Sequence, residues 1–505
     1  MRAWERVDAG KVEGAKSALD SPEAGRAAVR AGLLRATSYL IVTLLGAVTA
    51  PLMFRHLGAR QYGIYVTLYS LITVAGGVAE LGITSIGIRE WATQPASRRP
   101  LLQSQLLGIR IAAAVVGTAA ACLFGVAAGY GPTRFMGMGL LGIGLLLLAY
   151  YETLCVPLQA ELRQGSVAAA ELVRQALQLA AVAALVAAGA GLLPFFAAAI
   201  PSSIAAIAVA AAASKQGLLR PRWADRSWLQ LLVASAPFAA ASAIYVLYLR
   251  ATQIVTSLVT TPLQTGYFGT AFRVMEVLLG IPVLAVSAVF PLVARTASGQ
   301  SKEQVGPVAA LLLETAMVGG GVAAVLVFAG AELAVLVISG KFLAIPQDSL
   351  EILGAALSAS FIGAAAQYQL LAIRAHREIL LINGSALVLN LVLTAFLASY
   401  AGSIGSAAAL ACCEFFVAGA ALLMLRKQLP RPLPRLALVG KVLLVVAIGG
   451  GLAQCGSLAG PLSRLAAGLI ATLLALLALR PVPPPVAERL PGPLHLLGRR
   501  GPAPA

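Results

Sequence analysis

The sequence predicts an all-α membrane protein with about fourteen transmembrane helices. Hydrophobic residues make up 59% of its 505 residues and charged residues only 11%. Soluble proteins contain about 45–50% apolar and about 25% charged residues, so a soluble fold would lack charges to cover its surface. The apolar residues also fall in runs of about 20, the length at which a helix spans a hydrocarbon core of about 30 Å.

The apolar runs form two sets of six, separated by a basic break, and two more runs follow. The first twelve predict two six-helix bundles, and the last two predict extra C-terminal helices. The runs are residues 32–54, 63–87, 107–130, 136–157, 168–190, 193–213, 229–251, 267–293, 308–329, 350–373, 380–400, 403–425, 436–455 and 461–479.

The runs also define the predicted domain organisation. The predicted segments are a cytoplasmic tail over 1–31, an N-terminal bundle over 32–213, a cytoplasmic linker over 214–228, a C-terminal bundle over 229–425, two further helices over 436–479, and a cytoplasmic tail over 480–505. The last segment is rich in proline and is predicted to lack a fixed structure.

The two predicted bundles share a weak internal repeat. Gly63 matches Gly266, Tyr65 matches Phe268, and Tyr69 matches Phe272. The shift of about 200 residues is the length of six membrane helices with loops, and halves in the same orientation imply a two-fold axis along the membrane normal. The repeat therefore predicts a transporter-like arrangement of two similar halves.

The basic residues predict how the helices are oriented. Lys and Arg mark cytoplasmic loops, and they concentrate in alternate gaps, such as the gap with Arg98 and Arg99 and the gap with Lys215 and Arg220. Both tails are basic too, so we expect both termini in the cytoplasm and an even number of crossings. The net charge of +17 then fits contact with anionic lipid headgroups rather than with nucleic acid.

Motifs for soluble catalysis are missing from the sequence. The five cysteines show no CxxC spacing, and no HExxH, Walker A or GxSxG sequence occurs. These motifs supply metal ligands, phosphate-binding loops and nucleophiles. We therefore expect no metal, no cofactor, no ATP-driven pump and no enzymatic activity.

A few charged residues lie inside the apolar runs and are the candidates for function. A charge at mid-membrane costs at least about 2.5–3.5 kcal/mol, so such residues usually face a partner or a water-filled cavity. Glu171 and Arg174 are three residues apart and are expected to pair, and Glu152 and Glu314 are also present. The predicted cavity residues are Arg35, Glu80, Arg250, Arg273, Glu276 and Glu414.

One stretch of the sequence resembles a known family. Residues 55–65 read R-H-L-G-A-R-Q-Y-G-I-Y, an acidic-Leu-Gly step follows at Glu80, and Arg89-Glu90 completes the pattern. This resembles the opening of polysaccharide-biosynthesis flippases, the Wzx-type O-antigen and exopolysaccharide exporters, in which Asp is usual where Glu80 stands. The family belongs to the multidrug/oligosaccharidyl-lipid/polysaccharide exporter superfamily.

The resemblance implies a fold and a substrate. The two bundles would form a V-shaped cavity in the inner (plasma) membrane and would flip an undecaprenyl-diphosphate-linked oligosaccharide to the outer leaflet by alternating access. Membrane lipids would surround the protein, and a polymerase and glycosyltransferases would be its partners. Arg35, Arg250 and Arg273 lie on predicted helices one, seven and eight, which line the cavity in this superfamily, and would receive the diphosphate or acidic sugars.

Other functions remain open from the sequence. A cation-coupled drug antiporter of the same superfamily would need a buried acidic pair, and no second acidic residue lies near Glu80 in the sequence. A flippase for the lipid-linked peptidoglycan precursor is a further option, although the opening pattern fits that branch less well. A polymerase subunit would show a large extracytoplasmic loop, and the longest candidate, residues 330–349, is short.

Overall fold

The computed structural model describes residues 22–80, 82–214, 219–223, 243–244, 246–299, 302–429 and 434–483. The regular elements within these residues are helices, which confirms the predicted all-α class. Most of the linker predicted over 214–228, the first part of the seventh run and most of both tails lie outside the described residues. The first helix begins at Pro22, within the segment predicted as the N-terminal tail.

Seven helices make up the N-terminal part of the described chain. They are α1 (Pro22–Glu80), α2 (Ile83–Thr93), α3 (Arg99–Ala127), α4 (Pro132–Ala160), α5 (Gln164–Ala187), α6 (Leu192–Ala197) and α7 (Ala199–Ser214).

Seven further helices follow, together with one short 3-10 turn. They are α8 (Val246–Val259), α9 (Pro262–Gly299), α10 (Lys302–Ser339), α11 (Ala344–Ala372), α12 (His376–Gln428), α13 (Leu436–Gly456) and α14 (Pro461–Leu479).

Two of these helices are broken by a glycine. Gly58 in α1 has φ 74° and ψ 164°, and Gly402 in α12 has φ 57° and ψ −127°. Positive φ is strained for residues with a Cβ, so glycine suits both positions. Each break lies between two predicted runs, so α1 and α12 each have two arms, and two adjacent runs join through a tight break where the sequence suggested a loop.

Ten helices of the described residues are long and apolar enough to cross a membrane. The two broken helices are among these ten. Helix α12 contains two of the predicted runs, and α1 contains the run 32–54 and most of the run 63–87. The protein is therefore a multi-pass membrane protein, and the number of fourteen crossings stays a prediction.

The described helices pack in two groups. Helices α1 to α7 pack mainly on one another, and α9 to α12 form a second group with α13 and α14 held against α10. The main contact between the groups joins α1 to α9. The bundle boundaries stay predictions, but the pattern of packing agrees with two halves.

Helices α1 and α9 cross at the matched glycines of the repeat. A Cβ on Gly63 would overlap the Pro262 carbonyl oxygen, and a Cβ on Gly266 would overlap the Ala59 carbonyl oxygen. The two overlaps are equivalent, because Ala59 precedes Gly63 by the same four residues by which Pro262 precedes Gly266. Small residues allow such close backbone contact between membrane helices.

The hydroxyls next to this crossing repeat the symmetry. Thr67 Oγ1 donates to the Gly63 carbonyl at 2.8 Å, and Thr270 Oγ1 donates to the Gly266 carbonyl at 2.9 Å. The sequence repeat thus corresponds to a local two-fold contact between the two groups of helices.

Candidate functional site

A cavity of about 270 Å³ lies beside the crossing of α1 and α9. Its lining comes from both groups of helices, since Tyr69 lies on α1, Arg174 on α5, Arg250 on α8, and Arg273 and Glu276 on α9. We call this space the central cavity. Functional sites commonly occupy such concave spaces with a few converging polar groups.

A second cavity of about 420 Å³ adjoins the first. The two share the lining residues Tyr69, Leu141, Leu148, Arg174 and Ala199. The second cavity, here called the N-terminal cavity, has its polar lining on α1, α2, α3 and α4 at Glu80, Thr84, Arg110 and Glu152. The shared lining places both cavities side by side within the membrane region.

Two arginines share one carboxylate in the central cavity. Arg273 Nη1 donates to Glu276 Oε2 at 2.8 Å, as expected for two residues three apart on one helix. Arg250 Nη2 donates to the other oxygen, Glu276 Oε1. The Arg250 side chain is 12% exposed and the other two are 28% exposed, so one carboxylate offsets only one of two largely buried positive charges.

Arg273 also joins the two groups of helices. Its Nη2 atom donates to the Gly46 carbonyl of α1 at 2.9 Å. The cation of α9 is therefore bonded both to its own carboxylate and to the backbone of the other half.

Two aromatic rings lie close to the Arg250 guanidinium. Its guanidinium carbon lies 5.6 Å from the centroid of Tyr69 and 5.9 Å from that of Phe272. These rings are the matched pair of the sequence repeat, and both lie within cation–π range. Tyr69 is itself stacked on Tyr65, with centroids 6.0 Å apart, so the ring that contacts the guanidinium is supported by further packing.

The N-terminal cavity has its own charge network. Arg110 is 1% exposed and its Nη1 donates to Glu152 at 2.9 Å, while Nη2 donates to Thr84 Oγ1. Glu80 lines the same cavity as Glu152. The second acidic residue that the sequence lacked near Glu80 is therefore supplied by α4, and sequence distance could not reveal it.

The predicted pair of Glu171 and Arg174 is present on α5. Arg174 Nε donates to Glu171 Oε2 at 3.0 Å, and Nη2 donates to the other oxygen. Of this bonded pair, Arg174 lines both cavities.

Glu414 lies apart from the central arginines. Its carboxylate accepts hydrogen bonds from Tyr248 Oη and Ser360 Oγ, both at 2.7 Å. It lines a separate cavity of about 230 Å³ between α8, α9, α11 and α12. The structure thus places Glu414 in the C-terminal group and does not bring it together with Arg250 and Arg273.

The other predicted residues divide between the two cavities. Arg250, Arg273 and Glu276 meet in the central cavity, and Glu80 lies in the N-terminal cavity. Arg35 lies on α1, and its side chain is outside the described part of the structure. Arg110 was not among the predicted site residues, although its position inside the third apolar run, at residues 107–130, was a signal that it could be buried.

Comparison with known proteins identifies the fold and the family. The chain superposes on the lipid II flippase MurJ in an inward closed conformation with a TM-score of 0.72, at 12% identity over 88% of this chain and 98% of that one. An inward-facing multidrug resistance MATE family transporter of the MOP superfamily gives a TM-score of 0.64, at 12% identity over 77% and 94% of the chains. The Vibrio cholerae MATE transporter VcmN in the bent form gives 0.51, at 16% identity over 79% and 96%.

These identities show a shared transporter fold and nothing finer. A search of curated protein sequences gives no match. The family model described as "polysaccharide biosynthesis protein" matches residues 28–297, which is more than half of the chain and includes both cavities' arginines and the α1–α9 crossing. The chain therefore belongs to the polysaccharide biosynthesis protein family, within the fold shared by MurJ and the MATE transporters of the MOP superfamily.

Proposed function

We propose that this protein flips lipid-diphosphate-linked oligosaccharides from the cytoplasmic to the outer leaflet of the cell (inner) membrane. The substrate is of the undecaprenyl-diphosphate type, and the product serves the assembly of O-antigen, capsule or exopolysaccharide. Both termini are in the cytoplasm, and the protein is a transporter rather than an enzyme. The observation that carries this proposal is the Arg250–Glu276–Arg273 cluster in a cavity lined by both halves of a member of this family.

The chemistry of the substrate explains the cluster. Sugar hydroxyls and a diphosphate cannot enter hydrocarbon without losing hydrogen bonds to water. A guanidinium binds phosphate oxygens through two parallel hydrogen bonds, and remains charged when partly buried. Two arginines that share a single carboxylate leave a net positive charge, and that charge favours an anion in the cavity.

Alternating access supplies the movement. Near the α1–α9 crossing, Arg55 Nη2 donates to the Val337 carbonyl of α10 at 2.6 Å, a second contact between the halves. Transport would alternately make and break the contacts at this end, while the lipid chain stays in the bilayer. Glycosyltransferases supply the substrate and a polymerase uses the product, so these enzymes are the functional partners.

Complementation tests the role of the arginines. Arg250→Ala and Arg273→Ala should abolish surface glycan export in a flippase-deficient strain at unchanged protein level, because each removes a guanidinium from the cavity. Arg426→Ala is the matched control, since Arg426 is exposed at the end of α12. Full complementation by both cavity variants would refute the site.

A cation-coupled drug antiporter is the second candidate. It is favoured by Glu80 and Glu152, which line one cavity and could exchange a proton or sodium ion as a pair. Efflux of cationic drugs that fails in Glu80→Gln and Glu152→Gln but persists in Arg273→Ala would support this candidate over the flippase.

A flippase for the lipid-linked peptidoglycan precursor would use the same arginines, because its substrate also carries a diphosphate. The fold shared with the lipid II flippase MurJ fits this option. Rescue of a strain that lacks its peptidoglycan-precursor flippase would favour it, and rescue only of surface polysaccharide export would exclude it.

A further inference from the structure

Glu276 fills the place that an anionic substrate would need. Its two oxygens accept one hydrogen bond each from Arg250 and Arg273, and phosphate oxygens seek the same guanidinium donors. The carboxylate lines the cavity and is 28% exposed. An anion that reaches the arginines must therefore compete with a carboxylate that is already bonded to both.

The two arginines are held by contacts other than Glu276. Arg250 lies within cation–π range of the rings of Tyr69 and Phe272, and Arg273 donates to the Gly46 carbonyl. The guanidinium groups can therefore keep their positions when the carboxylate leaves. Of the three charged groups, Glu276 has no described bond besides those to the arginines, so it is the group that can be exchanged.

We propose that Glu276 is a built-in competitor for the substrate anion, which sets how much negative charge a ligand must carry to occupy the Arg250–Arg273 site. The inference rests on the proposed function and adds a specificity-determining residue to it. A diphosphate offers more charge and more acceptor oxygens than the carboxylate and displaces it, whereas a singly charged headgroup does not. Ordinary phospholipids, which carry one phosphodiester, are thereby excluded.

Ligand binding to the purified full-length protein in lipid nanodiscs tests the proposal. The probes are geranyl diphosphate and geranyl methyl phosphate, a singly charged monophosphate diester on the same short isoprenoid. Glu276→Gln should bind the diphosphate about tenfold more tightly, within the usual range of coupling between sites, and should gain even more for the monophosphate. The ratio of the affinities for the two probes should therefore be smaller in Glu276→Gln than in the wild type.

A matched control separates this effect from a general loss of charge. Glu351 is 20% exposed and bonded to the buried Arg464 at 2.6 Å, and it does not line the central cavity. Glu351→Gln removes the same charge in a similar setting, and its affinity for both probes should equal that of the wild type.

A second variant keeps the test decisive if Glu276→Gln does not fold. Glu276→Asp keeps the charge on a shorter side chain that cannot reach both guanidinium groups, so its affinity should fall between wild type and the expected Gln value. Unchanged or weaker diphosphate binding in a folded Gln or Asp variant would overturn the competitor role. If Arg250→Ala and Arg273→Ala bind geranyl diphosphate as tightly as the wild type, the proposed function is overturned instead. That outcome is distinct from failure of the competitor role.

Discussion

The second arm of α1 and the start of α9 share one scaffold but carry different chemistry. Both have a glycine at the crossing, a threonine bonded to that glycine and an aromatic ring beside Arg250. One residue past the aromatic ring the two helices diverge. Ser70 of α1 is fully buried and donates to Gln253 at 2.9 Å, whereas its counterpart Arg273 faces the central cavity.

Positions that match between the halves and positions that differ have different roles. Residues that agree between the halves build the helix crossing, and crossings need small residues and matched backbones. The residue that departs from the repeat supplies a charge inside the membrane region, where charges are costly and usually functional. In this protein, the position that departs from the internal repeat therefore lies in the proposed binding site.

The largest expected effect on diphosphate binding comes from giving α9 the residue that α1 has at the matched position of Ser70 and Arg273. Arg273→Ser should weaken binding of geranyl diphosphate by about 2–5 kcal/mol, since it removes one member of a largely buried, hydrogen-bonded charge cluster. Ser70→Ala at the matched position of α1 should leave the affinity unchanged. Equal losses from both variants, measured by titration in nanodiscs, would remove the distinction between scaffold and site.

The crossing glycines should respond alike. Gly63→Ala and Gly266→Ala should each lower the stability of the protein by about 1–3 kcal/mol, because the new methyl group would force apart two packed backbones. Thermal unfolding in detergent measures the effect. The control is Gly139→Ala on α4, where a Cβ would meet no atom within 4 Å. Strongly unequal losses at Gly63 and Gly266 would contradict the two-fold contact.

The matched aromatic rings allow a smaller, sharper test. Tyr69→Leu should weaken diphosphate binding by about 0.5–2 kcal/mol through loss of the cation–π contact with Arg250. Tyr69→Phe should bind as the wild type, because its counterpart Phe272 already lacks the hydroxyl. If Tyr69→Phe is as weak as Tyr69→Leu, then the hydroxyl and not the ring supports the site.

The smallest effect is expected at Glu414. Glu414→Gln should leave diphosphate binding unchanged, because this carboxylate lies in its own cavity and is bonded to Tyr248 and Ser360. A titration that shows weakened binding would indicate that the cavity lined by Glu414 and the central cavity act together.

The sequence was sufficient for the fold class and for part of the site. Long apolar runs need helices to satisfy backbone hydrogen bonds in lipid, so the all-α class followed from composition. The cluster of Arg250, Arg273 and Glu276 was only partly predictable from the sequence. Arg273 and Glu276 are one turn apart on α9, and their pairing could be expected, but Arg250 reaches them from another helix.

What the sequence could not reveal depends on which helix faces meet. An apolar run fixes the depth of a charged residue in the membrane but not its neighbours. The sequence therefore does not link Glu80 to Glu152, and it does not show that Glu414 lines a different cavity from Arg250 and Arg273. The helix breaks at Gly58 and Gly402 were not predicted from the sequence for a related reason. A single residue with positive φ redirects a helix without the polar loop that marks a turn in sequence.

Translocation in reconstituted liposomes tests the proposed flippase function most directly. Purified protein would be incorporated with an undecaprenyl-diphosphate-linked oligosaccharide, and the glycan that becomes accessible to an external glycosidase would be measured over time. Wild-type protein should expose the inner-leaflet glycan, and the double variant Arg250→Ala with Arg273→Ala should expose no more than empty liposomes. Translocation by the double variant at the wild-type rate would show that Arg250 and Arg273 are not required for flipping, and would contradict the proposed function.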